Sequence, residues 1–485
     1  MHFLPTLAVV IPLVSAFFII VFSRSNVIVS KIIAVAGAIL TFLSALAMYP
    51  VVGDGSRLGI GTTHLSPPLS FFFQADALSF FMGVVFSFCF MLIIIYSLGY
   101  LEHGHAKARY LALIIFTEGA MLGIVMSASL IGFLIFFELM TVGAYLLVIH
   151  EEDEVAMFAG AKFLYMSLAA GLCIFFGMVI TYFIGGRLDF VPGGYIMASP
   201  LARYALLAFL LGFGVKAGMF PVHIWLPDAH PAAPAPVSAM LSGLSIKTGA
   251  YGLIRVIHDV YGVDVVRSLS LDRTLLVLAV ITILLGSAMA LQEDHLKRRL
   301  AYSSVAQIGY ILLGISLLTE RAMFGVLLHI FSHALMKGTL FLCAGAIITQ
   351  TGKKYISEMK GIGYEMPVVM MSFTLAAVTI VGIPPFNAFI SKWQLALASL
   401  ETGQAILVAV LMASSLLNAL YYFPIISAVF MPSGAEYRKK SFIRDKVPVS
   451  MLWTTALMAL LCIGFAFVQP HWPVLVASRI AASLF

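Results

Sequence analysis

The stretch GVKAGMFPVHIWLPDAHPAAPAPVSAMLSGLSIKTG, Gly214 to Gly249, brings ionisable residues and helix breakers together inside an otherwise apolar chain. It contains two lysines, two histidines, one aspartate and five prolines. Proline removes a backbone donor, which is tolerated at membrane depth only where the chain is buried in protein or faces water. The sequence therefore predicts a helix that carries Lys216 and breaks near Gly218–Pro221.

The composition is that of a polytopic membrane protein. Of 485 residues, 61% are hydrophobic and 10% are charged, against about 25% charged in an average soluble domain. Apolar runs of spanning length recur from end to end and leave no room for a soluble catalytic domain. The first run, 3–22, lacks the basic start and cleavage site of a signal peptide, so we expect a retained span. Most of the basic residues behind the net charge of +6 lie in loops between the apolar runs, where they are expected to set membrane topology. The expected partner is therefore the lipid bilayer and not nucleic acid.

Hydropathy and loop residues predict an all-α fold of about fourteen membrane-spanning helices. The predicted spans are 3–23, 28–49, 76–100, 109–127, 129–149, 157–184, 201–222, 236–258, 272–291, 299–318, 322–349, 366–398, 403–430 and 449–469. The sixth and twelfth are the longest and are expected to be tilted or broken.

Basic residues in alternate loops predict the orientation. Fifteen lie on one side and seven on the other, which places the first side in the cytoplasm of a plasma (inner) membrane and both termini outside. The fifteen are Arg24, Lys31, Lys107, Arg109, Lys297, Arg298, Arg299, Lys353, Lys354, Lys360, Arg438, Lys439, Lys440, Arg444 and Lys446. The seven are Arg57, Arg187, Arg203, Arg267, Arg273, Arg321 and Arg479.

An internal duplication is indicated by two similar helices five spans apart. The seventh span has Lys216 followed by Pro221, and the twelfth has Gly382-Ile-Pro-Pro385 followed by Lys392. Five is odd, so the repeat is inverted, and paired interrupted helices of this kind indicate a transport site near the midplane. The predicted units are a three-helix segment 1–100, repeats 109–258 (helices 4–8) and 272–430 (helices 9–13), and a C-terminal helix and tail 449–485.

Ionisable residues inside the predicted spans are candidates for function. Each costs roughly 2.5–3.5 kcal/mol at a helix centre on insertion scales, so they are not expected without a role. Lys162 and Arg255 lie near predicted span ends, where they are expected to snorkel to the interface. The others lie deep in their spans: Lys216, Lys247, Lys337, Lys392, Glu118, Glu138, His329 and His333.

Structural roles remain open for several of these residues. Glu138 is also explained as half of a static tie, an ion pair with a lysine that joins two helices. Glu118 is also explained as a polar residue that packs between helices. His329, His333 and Lys337 recur every four residues, so they share one helical face. Such a stripe in an apolar helix favours a wetted face suited to proton relay over a structural role.

A chain of proton carriers can be ordered from these residues. The proton affinity of a lysine depends on its burial and on the nearness of a carboxylate, so Glu138 and Lys216 are candidates for a switch. Lys247 follows and Lys392 ends the line. His223, seven residues after Lys216, shares its face only if the helix persists. Asp228 and His230 are expected to order the connecting loop, with proton transfer as the alternative.

Four segments resemble the antiporter-like subunits of the respiratory complex I superfamily. They are 215–239 with Gly243-Leu-Ser-Ile-Lys-Thr-Gly249, Phe136-Phe-Glu-Leu-Met140, Tyr302-Ser-Ser-Val-Ala-Gln-Ile-Gly-Tyr310 and His333-Ala-Leu-Met-Lys-Gly-Thr-Leu-Phe341. This superfamily includes membrane subunits of NADH:quinone oxidoreductase, membrane-bound hydrogenases and Mrp-type cation/proton antiporters. The resemblance implies fourteen helices, two inverted five-helix repeats, and broken helices 7 and 12.

The resemblance also implies roles for particular residues. Glu138 corresponds to the glutamate of the fifth helix, Lys216 and Lys247 to the lysines of the seventh and eighth, and Lys392 to the terminal position on the twelfth. Some members carry glutamate at that last position. We expect the chain to lack the long lateral helix of the most distal complex I subunit. Its length and the segments Lys360-Gly-Ile-Gly363 and Ile390-Ser-Lys-Trp-Gln394 resemble hydrogenase-linked or Mrp-type subunits more closely than a quinone-reductase subunit.

The leading hypothesis is a proton-translocating subunit of a complex I-like assembly, driven by a hydrogenase-type redox partner. Its partners are then other membrane subunits and a peripheral redox arm, with iron–sulfur clusters and a nickel–iron site expected there and no cofactor or metal in this chain. The alternative is a subunit of an Mrp-type Na⁺/H⁺ antiporter without redox chemistry. Direct electron transfer is disfavoured because the four cysteines are scattered and no dinucleotide motif is present. The excess of buried lysines favours H⁺ over Na⁺.

Overall fold

The computed structural model describes the whole chain except residues 23–26, 54, 60–71, 103, 432–444 and 468–471, and only the backbone of 464–467. Five basic residues of the orientation count, Arg24, Arg438, Lys439, Lys440 and Arg444, lie outside the described residues.

The described part of the chain is built almost entirely of helices. The first nine are α1 (Leu4–Phe22), α2 (Val27–Leu46), α3 (Tyr49–Val52), α4 (Ala77–Tyr100), α5 (Lys107–Met126), α6 (Leu130–Val148), α7 (Glu154–Gly185), α8 (Pro200–Ala217) and α9 (Leu226–Ala232). Next come α10 (Ala235–Met240), a π-helical segment Leu241–Ser245, α11 (Ile246–Arg255), a second π-helical segment Val256–Tyr261, and α12 (Val263–Ser268).

The second half continues in the same way. Its helices are α13 (Leu271–Gln292), α14 (Leu296–Ser316), α15 (Glu320–Thr351), a 3-10 turn Ile356–Glu358, α16 (Ile362–Glu365), α17 (Pro367–Val381), α18 (Asn387–Glu401), α19 (Ala405–Phe430), α20 (Val449–Phe467) and α21 (Trp472–Leu484). Two short antiparallel strands, β1 (Leu58–Gly59) and β2 (Gln74–Ala75), precede α4.

Contacts between connecting segments define two faces of the bundle. On the Asp228 face, Lys162 of α7 and Arg298 of α14 both pair with Asp228. Opposite it, the Asp259 face collects the segments before α4, after α5 and after α7. There the backbone N–H of Val191 donates to the carbonyl of Asp259 at 2.9 Å. Helices α4 to α8 run alternately between these faces.

The core and the rim of the bundle differ in burial. The apolar window of α15 is buried along its whole length, and the windows of α4 and α5 are 83% buried. By contrast, α1, α2, α7 and α19 present rows of exposed apolar side chains, among them Phe175 and Phe183 of α7. A helix that is apolar all round and half exposed is suited to contact lipid or a neighbouring apolar subunit.

Both predicted helix breaks are confirmed. Helix α8 ends at Ala217 and α17 at Val381, and each is followed by a glycine with positive φ, Gly218 at +78° and Gly382 at +86°. These conformations are open to glycine and costly for residues with a Cβ. The longest helix of the first half, α7, is unbroken over its 32 residues, so the alternative of a broken sixth span is wrong.

Ten helices in the described residues are long and apolar enough to cross a membrane. The chain is therefore an all-α, multi-pass membrane protein. The total of fourteen spans, the inverted repeats and the unit boundaries stay predictions. At the C-terminal end, residues of the predicted tail form helix α21.

Gly249 allows α11 to pack closely against α8. A Cβ at this position would lie 2.5 Å from the carbonyl oxygen of Phe213 and 2.7 Å from the backbone nitrogen of Ala217. Neither is the movable end of a side chain. This contact holds Lys247 and Lys216 on neighbouring helices.

We expect Gly249→Ala to destabilise the protein by about 1–3 kcal/mol, the usual range for overpacking a tight core. Gly243→Ala is the matched control, because its nearest contact would be an ordinary 3.4 Å to the carbonyl of Ala334. Thermal unfolding of both purified variants in the same detergent measures the difference. Equal melting temperatures would contradict the assigned packing.

Candidate functional site

Four lysines from four different helices lie inside the bundle. Lys216 (α8), Lys247 (α11), Lys337 (α15) and Lys392 (α18) are between 0% and 7% exposed. Among the described residues none of their ammonium groups has a carboxylate partner within ion-pair distance. Hydroxyls, carbonyls and aromatic rings surround them instead.

Lys216 sits in the last turn of α8, just before the break. Its Nζ lies 3.4 Å from the hydroxyl of Thr141 and over the rings of Phe137 and Phe163, at 5.4 and 4.9 Å from their centroids. Cation–π contacts of this kind favour a desolvated ammonium. Because Thr141 and Phe137 belong to α6, they couple the broken helix to the helix that carries Glu138.

Glu138 differs from the buried residue that the sequence predicted. Its side chain is partly exposed on the outer side of α6, although it remains within electrostatic range of Lys216. No ion pair joins the two in the described structure, so the static tie is not formed here. On α7, Gly171 lies against the carboxyl group, and a Cβ at Gly171 would collide with Oε1.

Lys247 is anchored by irregular helix geometry. Its Nζ donates to the carbonyl of Ser242 at 2.5 Å, inside the π-helical segment Leu241–Ser245. A π-bulge leaves backbone carbonyls without their usual i+4 partner and occurs often at functional sites. The segment therefore supplies an acceptor for a cation at the centre of the bundle.

The predicted stripe on α15 is confirmed as one continuous face. The rings of His329 and His333 lie 6.0 Å apart and nearly parallel, at 13°. Lys337 continues the stripe and donates to the carbonyl of Leu300 at 2.9 Å and to the hydroxyls of Ser303 and Tyr422. All three residues of the stripe are 0% exposed.

Lys392 of α18 lies beyond the His329 end of the stripe, at the second helix break. Its Nζ donates to the carbonyls of Ile380 and Val381 at 2.8 and 3.1 Å, and to the hydroxyl of Ser415 at 3.0 Å. These carbonyls are freed because α17 ends at Val381. The broken helix thus forms the binding site for the ammonium group.

Electrostatic interactions and hydrogen bonds connect these groups into one axis. His329 interacts with both Lys247 and Lys392, and its Nδ1 lies 2.9 Å from the hydroxyl of Ser391. His333 interacts with Lys247, His329 and Lys337, and neither of its ring nitrogens has a hydrogen-bond partner among the described residues. Unpartnered polar atoms in such a site are the places where internal water binds. The axis joins Lys247 to Lys392 through the α15 stripe.

Glu118 and His223 lie apart from this axis. Glu118 is fully buried with both carboxyl oxygens unpartnered, and no charged group of the described chain interacts with it. His223 follows the end of α8, so the helix does not persist to it. Its charged neighbour is Lys162 and not Lys216. The condition for a face shared with Lys216 is therefore not met, because the helix ends six residues before His223.

The connecting loop after the break has two kinds of polar residue. Asp228 pairs with Lys162 at 2.7 Å and with Arg298 at 3.6 Å, which ties the loop to α7 and α14. His230 is fully buried on the ring of Phe341, and its charged neighbours are Lys297, Lys337 and Lys247. In the described part of the chain, neither of its ring nitrogens has a hydrogen-bond partner. Lys162 is half exposed, as expected for a snorkelling side chain.

Sequence reasoning missed two buried basic groups near the ends of the axis. Lys297, counted as a loop residue, is 6% exposed and donates to the carbonyl of Ala233 at 2.7 Å. Arg255, expected to snorkel, is 3% exposed and pairs with Asp76 and Asp259. The signal for Arg255 was present: Lys247, Tyr251, Arg255 and Asp259 recur every four residues.

Comparisons with known proteins agree with this architecture. The family model described as NADH:quinone oxidoreductase/Mrp antiporter, TM, matches residues 127–418, and the model for the N-terminus of chain 5 of NADH-ubiquinone oxidoreductase (complex I) matches residues 64–111. The chain belongs to this family of antiporter-like membrane subunits.

Relatives and solved structures extend across the family. The chain is 33% identical to NADH-quinone oxidoreductase subunit N of Desulforudis audaxviator, over 88% of this chain and 86% of that one. It is 31% identical to hydrogenase-4 component B of Escherichia coli, over 83% of this chain and 63% of that one. In the Mrp complex of Dietzia sp., a chain with 22% identity has the same fold, with a TM-score of 0.89 over 100% and 98% of the two chains. A chain of an archaeal membrane-bound sulfane sulfur reductase is 25% identical and has a TM-score of 0.86, over 99% of both chains.

The ion pairs of Asp228 are expected to order the loop and to contribute modestly to stability. Because both partners are partly exposed, Asp228→Asn should lower the free energy of unfolding by about 0.2–1 kcal/mol, less at high salt. Asp264→Asn, which removes an exposed 4.0 Å pair with Arg267, is the control and should change nothing measurable. Thermal unfolding at two salt concentrations tests this. A loss that does not diminish with salt would contradict it.

Proposed function

We propose that this chain is a proton-translocating subunit of a multi-subunit membrane complex. The observation that carries the proposal is the fully buried His329–His333–Lys337 stripe, which interacts with Lys247 and with Lys392. Groups that both accept and release protons thus lie in series within an apolar bundle, where isolated charges are expensive. The known relatives are subunits of larger membrane complexes, which supports an assembly with other membrane subunits.

Proton movement starts at the Glu138–Lys216 couple. While Glu138 is charged and close, it stabilises the ammonium form of Lys216. Neutralising or displacing this carboxylate weakens the hold of Lys216 on its proton. The proton then passes through water to Lys247, which the stripe joins to Lys392 in the order Lys337, His333, His329. Each group accepts one proton and releases one, so the axis returns to its initial state.

The exposed side of Glu138 indicates where a driving partner contacts the chain. Its carboxyl group emerges among the apolar side chains Ile135 and Val142 of α6, which are 45% and 48% exposed. A carboxylate facing hydrocarbon costs roughly 2.5–3.5 kcal/mol. A neighbouring membrane subunit on the α6–α7 side would remove this cost and place its own charges beside Glu138.

The wider assembly follows from the same reasoning. A redox module of hydrogenase type, with iron–sulfur clusters and a nickel–iron site in partner subunits, is the proposed driver. An Mrp-type Na⁺/H⁺ antiporter complex is the second candidate, favoured by the fold shared with the Dietzia Mrp chain. In both, the chain resides in the plasma (inner) membrane with the Asp228 face toward the cytoplasm and the termini outside.

Purification of the native assembly in mild detergent should identify the driver. We expect the chain to co-purify with other membrane subunits and with a peripheral arm that contains iron and nickel, measured by mass spectrometry and metal analysis. Metal-free, wholly membrane-embedded partners would replace the redox proposal with the antiporter. A chain that purifies alone would contradict both.

Glu138→Gln and Lys216→Ala should each abolish coupled proton transport without preventing assembly. The first removes the charge that controls Lys216, and the second removes the first carrier. The measurement is acidification by vesicles containing the purified assembly, followed with a pH-sensitive dye. Glu152→Gln, which neutralises an exposed carboxylate paired with Arg109, is the control and should transport normally. Normal transport by Glu138→Gln would refute the mechanism.

A further inference from the structure

Below Lys247, a second row of polar groups continues toward the Asp259 face. Tyr251, Arg255 and Asp259 follow Lys247 at intervals of four residues, so they lie on one side of the helix. Tyr251 is 0% exposed, and Arg255 and Asp259 are each 3% exposed. We call Tyr251, Arg255, Asp259, Asp76 and Ser79 the release cluster. None of them belongs to the axis described above.

Hydrogen bonds join the release cluster without a gap. The guanidinium of Arg255 donates through Nε to the hydroxyl of Tyr251 at 2.9 Å, and through Nη2 to the hydroxyl of Ser79 at 2.8 Å. It also forms a two-pronged salt bridge with Asp76, with both distances 2.6 Å, and donates to Asp259 at 2.7 Å. The hydroxyls of Tyr251 and Ser79 lie 3.4 Å apart.

The charges of the release cluster do not balance. One guanidinium, which does not release its proton in proteins, faces two carboxylates. Asp76 also caps α4 by accepting from the backbone N–H of Ser79 at 2.8 Å. Its acceptors are therefore well occupied. Among the described residues the carboxyl group of Asp259 accepts one hydrogen bond, from Arg255, and it also interacts with Arg57. It is therefore the carboxylate with acceptor sites left to take a proton.

Two cavities reach the release cluster. A space of about 760 Å³ on the Asp259 face is lined by both carboxylates, by Arg57 and Arg479, and by the end of α21. A smaller space of about 10 Å³ lies beside Arg255, Ser79 and Ser127, which is close to the volume needed for one water. The large cavity is lined by Asp76 and Asp259, so water in it has access to both carboxylates.

We propose that the release cluster is the route by which protons leave the axis toward the Asp259 face. The inference rests on the proposed function. The ammonium of Lys247 leaves the carbonyl of Ser242 and turns toward Tyr251, whose Cα lies about 6 Å further along the helix axis. It gives one proton to the Tyr251 hydroxyl oxygen. That hydroxyl, which donates to the carbonyl of Val125 at 2.8 Å, turns to Ser79 at 3.4 Å and passes its own proton through Ser79 and water to Asp259.

The cycle closes with each group restored. Asp259 then gives the proton to water in the large cavity and becomes a carboxylate again. Lys247, left as a neutral amine, is reprotonated from the axis. Arg255 takes no proton in this sequence: it positions the two hydroxyls and keeps a fixed positive charge beside them, which hinders return of the proton.

A pair of tyrosine variants tests the route. Tyr251→Phe removes the hydroxyl and keeps the ring. Tyr261→Phe is the matched control, since Tyr261 is 1% exposed, lies on the same helix and bonds through its hydroxyl to Thr181 at 2.8 Å, outside the cluster. We expect Tyr251→Phe to lower proton transport by about tenfold or more, within the effect of a lost proton-transfer group. Tyr261→Phe should transport within twofold of the unmodified complex, and both should assemble and melt alike.

A second pair keeps the test decisive if Tyr251→Phe does not assemble. Asp259→Asn should stop proton release, and Asp259→Glu should restore part of it because the carboxylate returns. Transport by Tyr251→Phe equal to that of Tyr261→Phe, or by Asp259→Asn equal to that of the unmodified complex, would overturn the inference.

The same vesicles separate this inference from the proposed function. Glu138→Gln is measured in parallel with the Tyr251 and Asp259 variants. If Glu138→Gln transports normally, the proposed function itself fails. If Glu138→Gln stops transport while Tyr251→Phe and Asp259→Asn do not, the axis stands and only the release route is wrong.

Discussion

The desolvation of ammonium groups is the constraint on which the rest of the structure depends. A buried charge is costly unless polar groups surround it. The chain meets this requirement with its own backbone: Lys392 takes the carbonyls freed by the break after α17, and Lys247 takes one from a π-helical segment. Lys337 uses the carbonyl of Leu300. The breaks and bulges that weaken these helices are therefore what allows lysines to occupy them.

Neutral dipoles around a lysine have a different consequence from a carboxylate partner. In a dry interior, a carboxylate partner would make the ammonium group of a lysine keep its proton, because opposite charges attract most where the dielectric constant is low. Carbonyls and hydroxyls stabilise the ammonium less and also tolerate the amine. Arg255 shows the contrast, since it is held by two carboxylates and keeps its charge. The surroundings of the lysines therefore allow them to gain and lose a proton, whereas those of Arg255 keep it charged.

The sequence predicted those parts of the site that depend on spacing along one helix. Periodicity of four placed His329, His333 and Lys337 on one face, and glycine with proline located both helix breaks. It did not predict features that depend on neighbouring helices. The partly exposed position of Glu138 and its contact with Gly171 of α7 are examples, since both depend on how α7 packs against α6.

Ionisable residues at predicted span ends were the least predictable. Hydropathy placed Arg255 at an interface, where long side chains usually reach water, because it does not reveal Asp76, which comes from a helix 179 positions away. Lys297 was misplaced for the same reason, since its acceptor is the loop carbonyl of Ala233. Burial of a charge at a helix end depends on tertiary partners that periodicity along one helix cannot supply.

The complete burial of the apolar window of α15 also bears on how the protein responds to its lipids. With 32 residues, the helix is about 48 Å long at 1.5 Å per residue, well beyond a hydrocarbon core of about 30 Å. Its apolar window is buried within the protein, whereas α1, α2 and α7 expose apolar side chains on the outside of the bundle. A thicker or thinner bilayer therefore acts first on the tilt of these outer helices. The spacing of the histidines is insulated from lipid composition, so the axis keeps its geometry in membranes of different thickness.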